Sequence, residues 1–134
     1  MDICSRCRIA NSTVKQCMPK GSVTPQIYFV GEAPGPEEAQ QGIPFIGRAG
    51  KYLHGVLDKF GLNENNSRFY NIVRCYPKNE NNDSFRAPTE DEILNCSQYV
   101  LQDIYETSPK IIISLGSTSS RFFMGRQFTT ITKI

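Results

Sequence analysis

The side chains best equipped for chemistry in this sequence are its five cysteines, Cys4, Cys7, Cys17, Cys75 and Cys96. Cys4 and Cys7 form a CxxC pair. Such a pair places two thiolates on one metal but does not close a tetrahedral site. Two distant cysteines, Cys75 and Cys96, complete a four-thiolate set if the fold brings them to the pair. Four thiolates suit zinc or an iron–sulfur cluster, and the spacing does not choose between them. The plainer alternative is that Cys75 and Cys96 are ordinary buried thiols. Cys17 is the spare and reads as structural. The start of the chain, MDICSRCRIA, has no apolar leader, and an odd cysteine count without an export signal favours metal binding in a reducing compartment over a disulfide framework. The one histidine, His54, falls in a helical stretch and reads as a surface or satisfied core residue, which leaves few general bases near neutral pH.

The segment from Gly31 to Leu53, GEAPGPEEAQQGIPFIGRAGKYL, carries the second constellation. It combines a strand-end turn, acidic residues, a Gly-Pro-aromatic element and a helix start with small residues. Gly47, Ala49 and Gly50 leave room for close backbone approach, and free amides at a helix start attract anions. Read blandly, it is a loop with helix-starting glycines. Asn71 is notable because Asn is depleted in strands, and it sits inside one here.

These residues need elements to hold them. The length of 134 residues fits one domain, 39% of it hydrophobic and 21% charged. The net charge of +2 and a pI near 8.3 permit nucleic-acid binding without arguing for it. No apolar run approaches the roughly 20 residues of a membrane span, so a soluble intracellular protein is expected. Residues 26–30 (QIYFV) and 68–73 (RFYNIV) read as strands. Residues 110–115 (KIIISL) read as the strongest strand, apolar throughout and thus buried on both faces of a parallel sheet. The segment from Gly35 to Gly47 reads as a long loop, and so does the Asn-rich stretch from Cys75 to Pro88. Leu53, Val56, Leu57 and Phe60 form a helical stripe that Gly61 ends. Thr89 and Glu92 form a capping box, opening a helix whose apolar face is Ile93, Cys96, Tyr99, Val100 and Ile104. A further short helix ends near Gly125, and residues 129–134 read as extended. This alternation predicts an α/β fold with three layers, α/β/α, around a mostly parallel sheet. Ligands on such sheets bind outside the carboxyl ends of the strands, where residues 31–35, 74–79 and 116–119 all fall.

The long segment resembles the signature of the family 4 uracil-DNA glycosylases: GEAPG, acidic residues, then G-x-PF-x-G-x-AG. The order of Cys4, Cys7, Cys75 and Cys96 is similar to theirs, as are residues 70–79 (YNIVRCYPKN) and 111–125 (IIISLGSTSSRFFMG). The likeness spans essentially the whole chain. It implies a single domain over 1–134 whose first 25 residues are a cluster-binding lead-in. It also implies a [4Fe-4S] cluster, rather than zinc, on the four cysteines. The implied activity is hydrolysis of the N-glycosidic bond of uracil in DNA, in base excision repair, by a monomer. By resemblance Phe45 stacks on the extruded base and Asn71 reads its polar edge. Glu32 lines the reaction centre with Gly31 and Ala33, and Asn79 helps place the attacking water. Two positions depart from the pattern: Ala39 replaces an acidic residue, and the insert 80–85 lengthens the path from Cys75 to Cys96. Against the family the chain is also expected to be incomplete at the C-terminus, without its His-Pro loop. That expectation implies weak excision by this chain alone, with the missing elements supplied by a complementary fragment or fused partner. It keeps open a non-catalytic iron–sulfur domain that binds nucleic acid or another protein.

Overall fold

Ile27–Gly31 (β2) supplies the centre of the sheet in the computed structural model, which describes residues 4–7, 9 and 15–125. The β-branched and aromatic residues of this strand are almost entirely buried, as suits a strand paired on both sides. It runs parallel to Ser67–Asn71 (β3) on one side and to Ile111–Ser114 (β4) on the other. A two-residue strand, Lys20–Gly21 (β1), adds antiparallel to β3. The order is β1-β3-β2-β4. Gly31 is in register with Asn71, and Val30 with both Tyr70 and Ser114. The three parallel strands therefore finish at one level, and the loops that follow them meet there.

Side chains alternate across the strands and divide the core in two. On one face Tyr28, Val30, Tyr70 and Ile72 pack with Cys96 and Val100 of helix α3 (Glu90–Thr107), and with Phe122 and Phe123 of helix α4 (Ser117–Met124). On the other, Phe29 and Phe69 stack with ring centres 5.1 Å apart, and Leu53 and Leu57 of helix α2 (Arg48–Asp58) close over them. Helices on both faces give the three layers expected. The capping box also forms: Thr89 Oγ1 accepts from Glu92 N at 3.2 Å and Glu92 Oε1 from Thr89 N at 2.9 Å. All five residues expected on the apolar face of α3 belong to or pack on the first core.

Three expectations are corrected. Residues 36–41 are not loop but a short helix, α1 (Pro36–Gln41), with Pro at its first turn and a left-handed Gly42 closing it. β4 is not buried on both faces. Among the described residues it ends the strand order, with Ile111 54% and Ile112 41% exposed, because an apolar run records hydrophobicity and not position within a sheet. The helical stripe is shorter than its pattern, since α2 stops at Asp58 and leaves Phe60 73% exposed. The extended segment expected at 129–134 lies outside the described residues.

One buried polar knot ties the sheet to α3. Asp103 accepts from Arg68 Nε at 2.6 Å and from Nη2 at 2.9 Å, and also from the Tyr28 hydroxyl. Burial, first, and then the Asp103 carboxylate push the Tyr28 phenol well above its ordinary range. It stays protonated and donates. No helix among the described residues is long and apolar enough to cross a membrane.

Candidate functional site

The level ends of β2 and β3 open onto a cleft of about 370 Å³ lined by Gly31, Glu32, Ala33, Phe45, Asn71 and Phe85, among others. Five of the six residues singled out for catalysis or base binding thus share one cavity. The cleft exists because Gly31 has no side chain. A Cβ there would stand 2.6 Å from Asn71 Oδ1 and 2.8 Å from Phe45 Cζ, well inside ordinary contact. Asn71 is only 4% exposed. β3 holds its backbone, and Ile72 N donates to the Gly31 carbonyl at 2.9 Å. Glu32 sits on the following residue of β2's end, where Thr118 of α4 donates its hydroxyl to Glu32 Oε2. A carboxylate, an amide and an aromatic ring therefore face one small space.

Phe45 is held in an unusual backbone state. Its φ is 58°, a left-handed value that bulky residues adopt only when their surroundings impose it. Gly50 makes this possible, since a Cβ there would meet both the carbonyl carbon and oxygen of Phe45 at 2.2 Å. The start of α2 is fixed in turn by Glu38 of α1, a carboxylate only 9% exposed that accepts from Gly47 N at 3.2 Å. That partner suits a helix N-terminus, where free amides favour negative charge. The acidic stretch was legible in the sequence, but which acid turned inward was not.

Asn79 does not join the cleft. Its Nδ2 donates to Ser84 Oγ at 2.9 Å and its N to the Ser84 carbonyl at 2.8 Å, so it closes the turn of the 78–85 loop. Phe85 from that same Asn-rich loop does line the cleft, and sequence reasoning missed it. The bridge from Lys78 to Phe85, seven residues along the same loop, carries it there, and the Asn-rich pattern gives no sign of it. Thr118 was missed likewise.

Three of the cysteines, Cys7, Cys75 and Cys96, meet at the first core. Cys75 and Cys96 are 5% exposed and Cys7 packs against them. All five thiols are unpaired by disulfides. Burial, and then Cys96, Cys4 and Cys7, push the Cys75 thiol up to about 12. Burial likewise pushes Cys96 up to about 11, against the pull of the Arg74 amide that donates to its sulfur at 3.2 Å. Cys7 is raised by burial, then by Cys4 and Glu92. The four sulfurs are thus within electrostatic reach of one another. Among the described residues no three His, Cys, Asp or Glu side chains already stand at coordination spacing. Both Arg6 and Arg74 lie over the Tyr99 ring, 5.2 and 4.3 Å from its centre, and the neighbouring Cys4, ahead of burial, raises the Tyr99 phenol. Cys17 stands apart, its Sγ 3.2 Å from the Glu38 carbonyl, which fits a structural role.

A parallel sheet with this cleft at its strand ends, and with GEAPG forming its floor, defines the class: the chain belongs to the uracil DNA glycosylase superfamily, whose family model matches residues 18–133. Particular relatives refine this. The chain is 37% identical to the type-4 uracil-DNA glycosylase of Sulfurisphaera tokodaii, over 98% of this chain and 59% of that protein. It is 34% identical to the type-4 uracil-DNA glycosylase of Thermotoga maritima, over 98% of this chain and 66% of that one. It is also 33% identical to a DNA polymerase of Bacillus phage SP01, over 93% of this chain and 13% of the polymerase. The chain therefore spans less than two thirds of the length of these glycosylases.

Proposed function

We propose that the cleft receives a uracil base extruded from DNA and that its residues serve hydrolysis of the bond between that base and its sugar. The observation that carries this is the convergence of Asn71 and Phe45 on the bare Gly31 backbone. A flat ring slides against Phe45, while the Asn71 amide offers one donor and one acceptor to the ring's polar edge. A cleft of 370 Å³ falls in the size range of small-molecule sites and suits a single flipped base. As the C1′–N1 bond breaks, positive charge builds on the sugar and negative charge on the departing base. Glu32, fixed by Thr118, is placed to stabilise the first. Water then adds to C1′, and its proton passes to the leaving base. Asn79 serves this step only if the 78–85 loop releases it from Ser84.

Cys4, Cys7, Cys75 and Cys96 would hold the cluster. The donor set fits: four thiols outside any disulfide, from three chain segments, with Cys7, Cys75 and Cys96 meeting at one core. A soft thiolate set suits [4Fe-4S] iron as well as zinc, and the likeness to type-4 relatives favours iron. When bound, the cluster supplies structure: it ties the lead-in to the end of β3 and to α3. Free thiols in this number fit an intracellular, reducing setting.

The test uses chain purified without oxygen. Iron content of about four per chain and brown colour support the cluster, whereas a colourless zinc protein refutes it. Incubation with a single-uracil oligonucleotide, followed by alkali and a denaturing gel, should give a cut at the uracil and none at cytosine or thymine. Absence of both cutting and preference for uracil-bearing DNA would refute the reading of the cleft.

A further inference from the structure

Phe45 stands between two cavities. On one side is the cleft just described. On the other is a space of about 550 Å³ lined by Phe45, His54, Lys20 and Lys51, among others. A residue that borders both spaces at φ 58° keeps its ring in the cleft only while its main chain is fixed. Gly50 removes the obstacle to that state but has no side chain with which to hold it. His54 lies four residues further along α2, on the same face of the helix. Helical side chains lean toward the N-terminus, so the imidazole returns over Gly50, where the Phe45 carbonyl is pressed against the helix. There His54 and Phe45 line one space, and the Phe45 backbone acts on the imidazole. The imidazole is itself set by Phe69, whose ring centre is 4.8 Å away at 61°. Phe69 also meets the Phe45 ring at 6.0 Å, again at 61°. The buried Nε2 has no hydrogen-bond partner among the described residues, so no conventional polar contact competes for the ring.

We propose that His54 is a positioning residue for base recognition: its imidazole holds the Phe45 carbonyl on helix α2 and so keeps the aromatic ring beside Asn71. The proposal rests on the reading of the cleft as a uracil pocket, and its test separates the two. The variants are His54→Leu, which keeps bulk without a donor, and His54→Asn and His54→Gln, which offer an amide N–H at two reaches. Two quantities are read on cluster-loaded full chain: the nuclear Overhauser contact between the Phe45 ring and the Asn71 amide, and KM and kcat on the uracil oligonucleotide. In His54→Leu the contact is lost and KM rises roughly three- to tenfold, the span of one hydrogen bond, with kcat less affected. At least one amide variant restores both. Where His54→Leu does not fold, His54→Ala replaces it. Retention of the Phe45–Asn71 contact in the donor-free variant overturns the proposal, as does failure of both amides to restore it. If the contact follows the donor while KM does not, His54 positions Phe45 as stated and the uracil reading is what fails.

Discussion

Replacing Gly31 by alanine is the sharpest test of how the cleft is made. The Gly31 backbone does not have a left-handed φ, so alanine brings no backbone strain there and the whole effect is that of one methyl group. That methyl would stand 2.6 Å from Asn71 Oδ1, 2.8 Å from Phe45 Cζ and 3.1 Å from Phe45 Cε1. Ordinary carbon contacts begin near 3.5 Å, so both side chains must retreat by more than half an ångström. Each is the far end of a side chain and can move, which spares the fold and spoils the space between them. Overpacking of this kind costs about 1–3 kcal/mol, and here it falls on bound base rather than on folding. The expected loss in kcat/KM on a uracil oligonucleotide is about ten- to a hundredfold, since each 1.36 kcal/mol is a factor of ten. Thermal unfolding should move by only a few degrees. The Gly50→Ala variant makes the contrast. Its methyl would meet the Phe45 main chain at 2.2 Å, which no rotamer relieves, so that variant should lose stability outright. A Gly31→Ala protein with unchanged kcat/KM would refute the claim that Asn71 and Phe45 define the site across a bare backbone.

Cys75→Ser should lower bound iron below that of the parent and lower the melting temperature with it, measured by metal analysis and calorimetry on the same sample, because metal binding to such a set is coupled to folding. Asp103→Ala leaves Arg68 and the Tyr28 hydroxyl without their shared acceptor. Breaking a buried pair from one side costs about 3–5 kcal/mol, readable in urea unfolding. The Glu92 carboxyl is held below the usual range, first by the Arg86 guanidinium at 2.7 and 2.9 Å, against burial, and then by the Thr89 amide. A depressed pKa stabilises the fold above the unfolded value and loses that stability as pH falls through the folded one. Stability of the parent should therefore decline below about pH 4.5 more steeply than that of Glu92→Gln, as followed by melting temperature against pH.

Legibility in the sequence followed the range of the interactions. The capping box of Thr89 and Glu92 is three residues long and could be read directly. So could the apolar face of α3, because its period is local. The order of strands and helices was enough to place the ends of β2, β3 and β4 together, and with them Gly31, Glu32 and Asn71. Helix α1 was missed although Pro36 and the acids Glu37 and Glu38 are proper first-turn residues. Six residues between glycines give no period to detect. The edge position of β4 was hidden for a different reason, since Ile111 and Ile112 are as apolar as any core residue. Phe85 shares the cleft with Gly31 and Glu32, and Thr118 reaches Glu32, across more than fifty residues of sequence, while Asn79 leaves it for a partner five residues on. None of these is written in local pattern.

The outer rim of β4 has one more consequence. On its β2 side every register position is matched, but along the other side no described strand follows. Backbone donors and acceptors there lie beside two half-open isoleucines. Such a rim is a template on which further extended chain can be laid. Among the described residues this is the border at which the sheet has capacity to widen, with extended chain of this polypeptide or of another. A lysine in place of Ile112 would blunt that tendency while leaving the cleft, at the far ends of the strands, undisturbed.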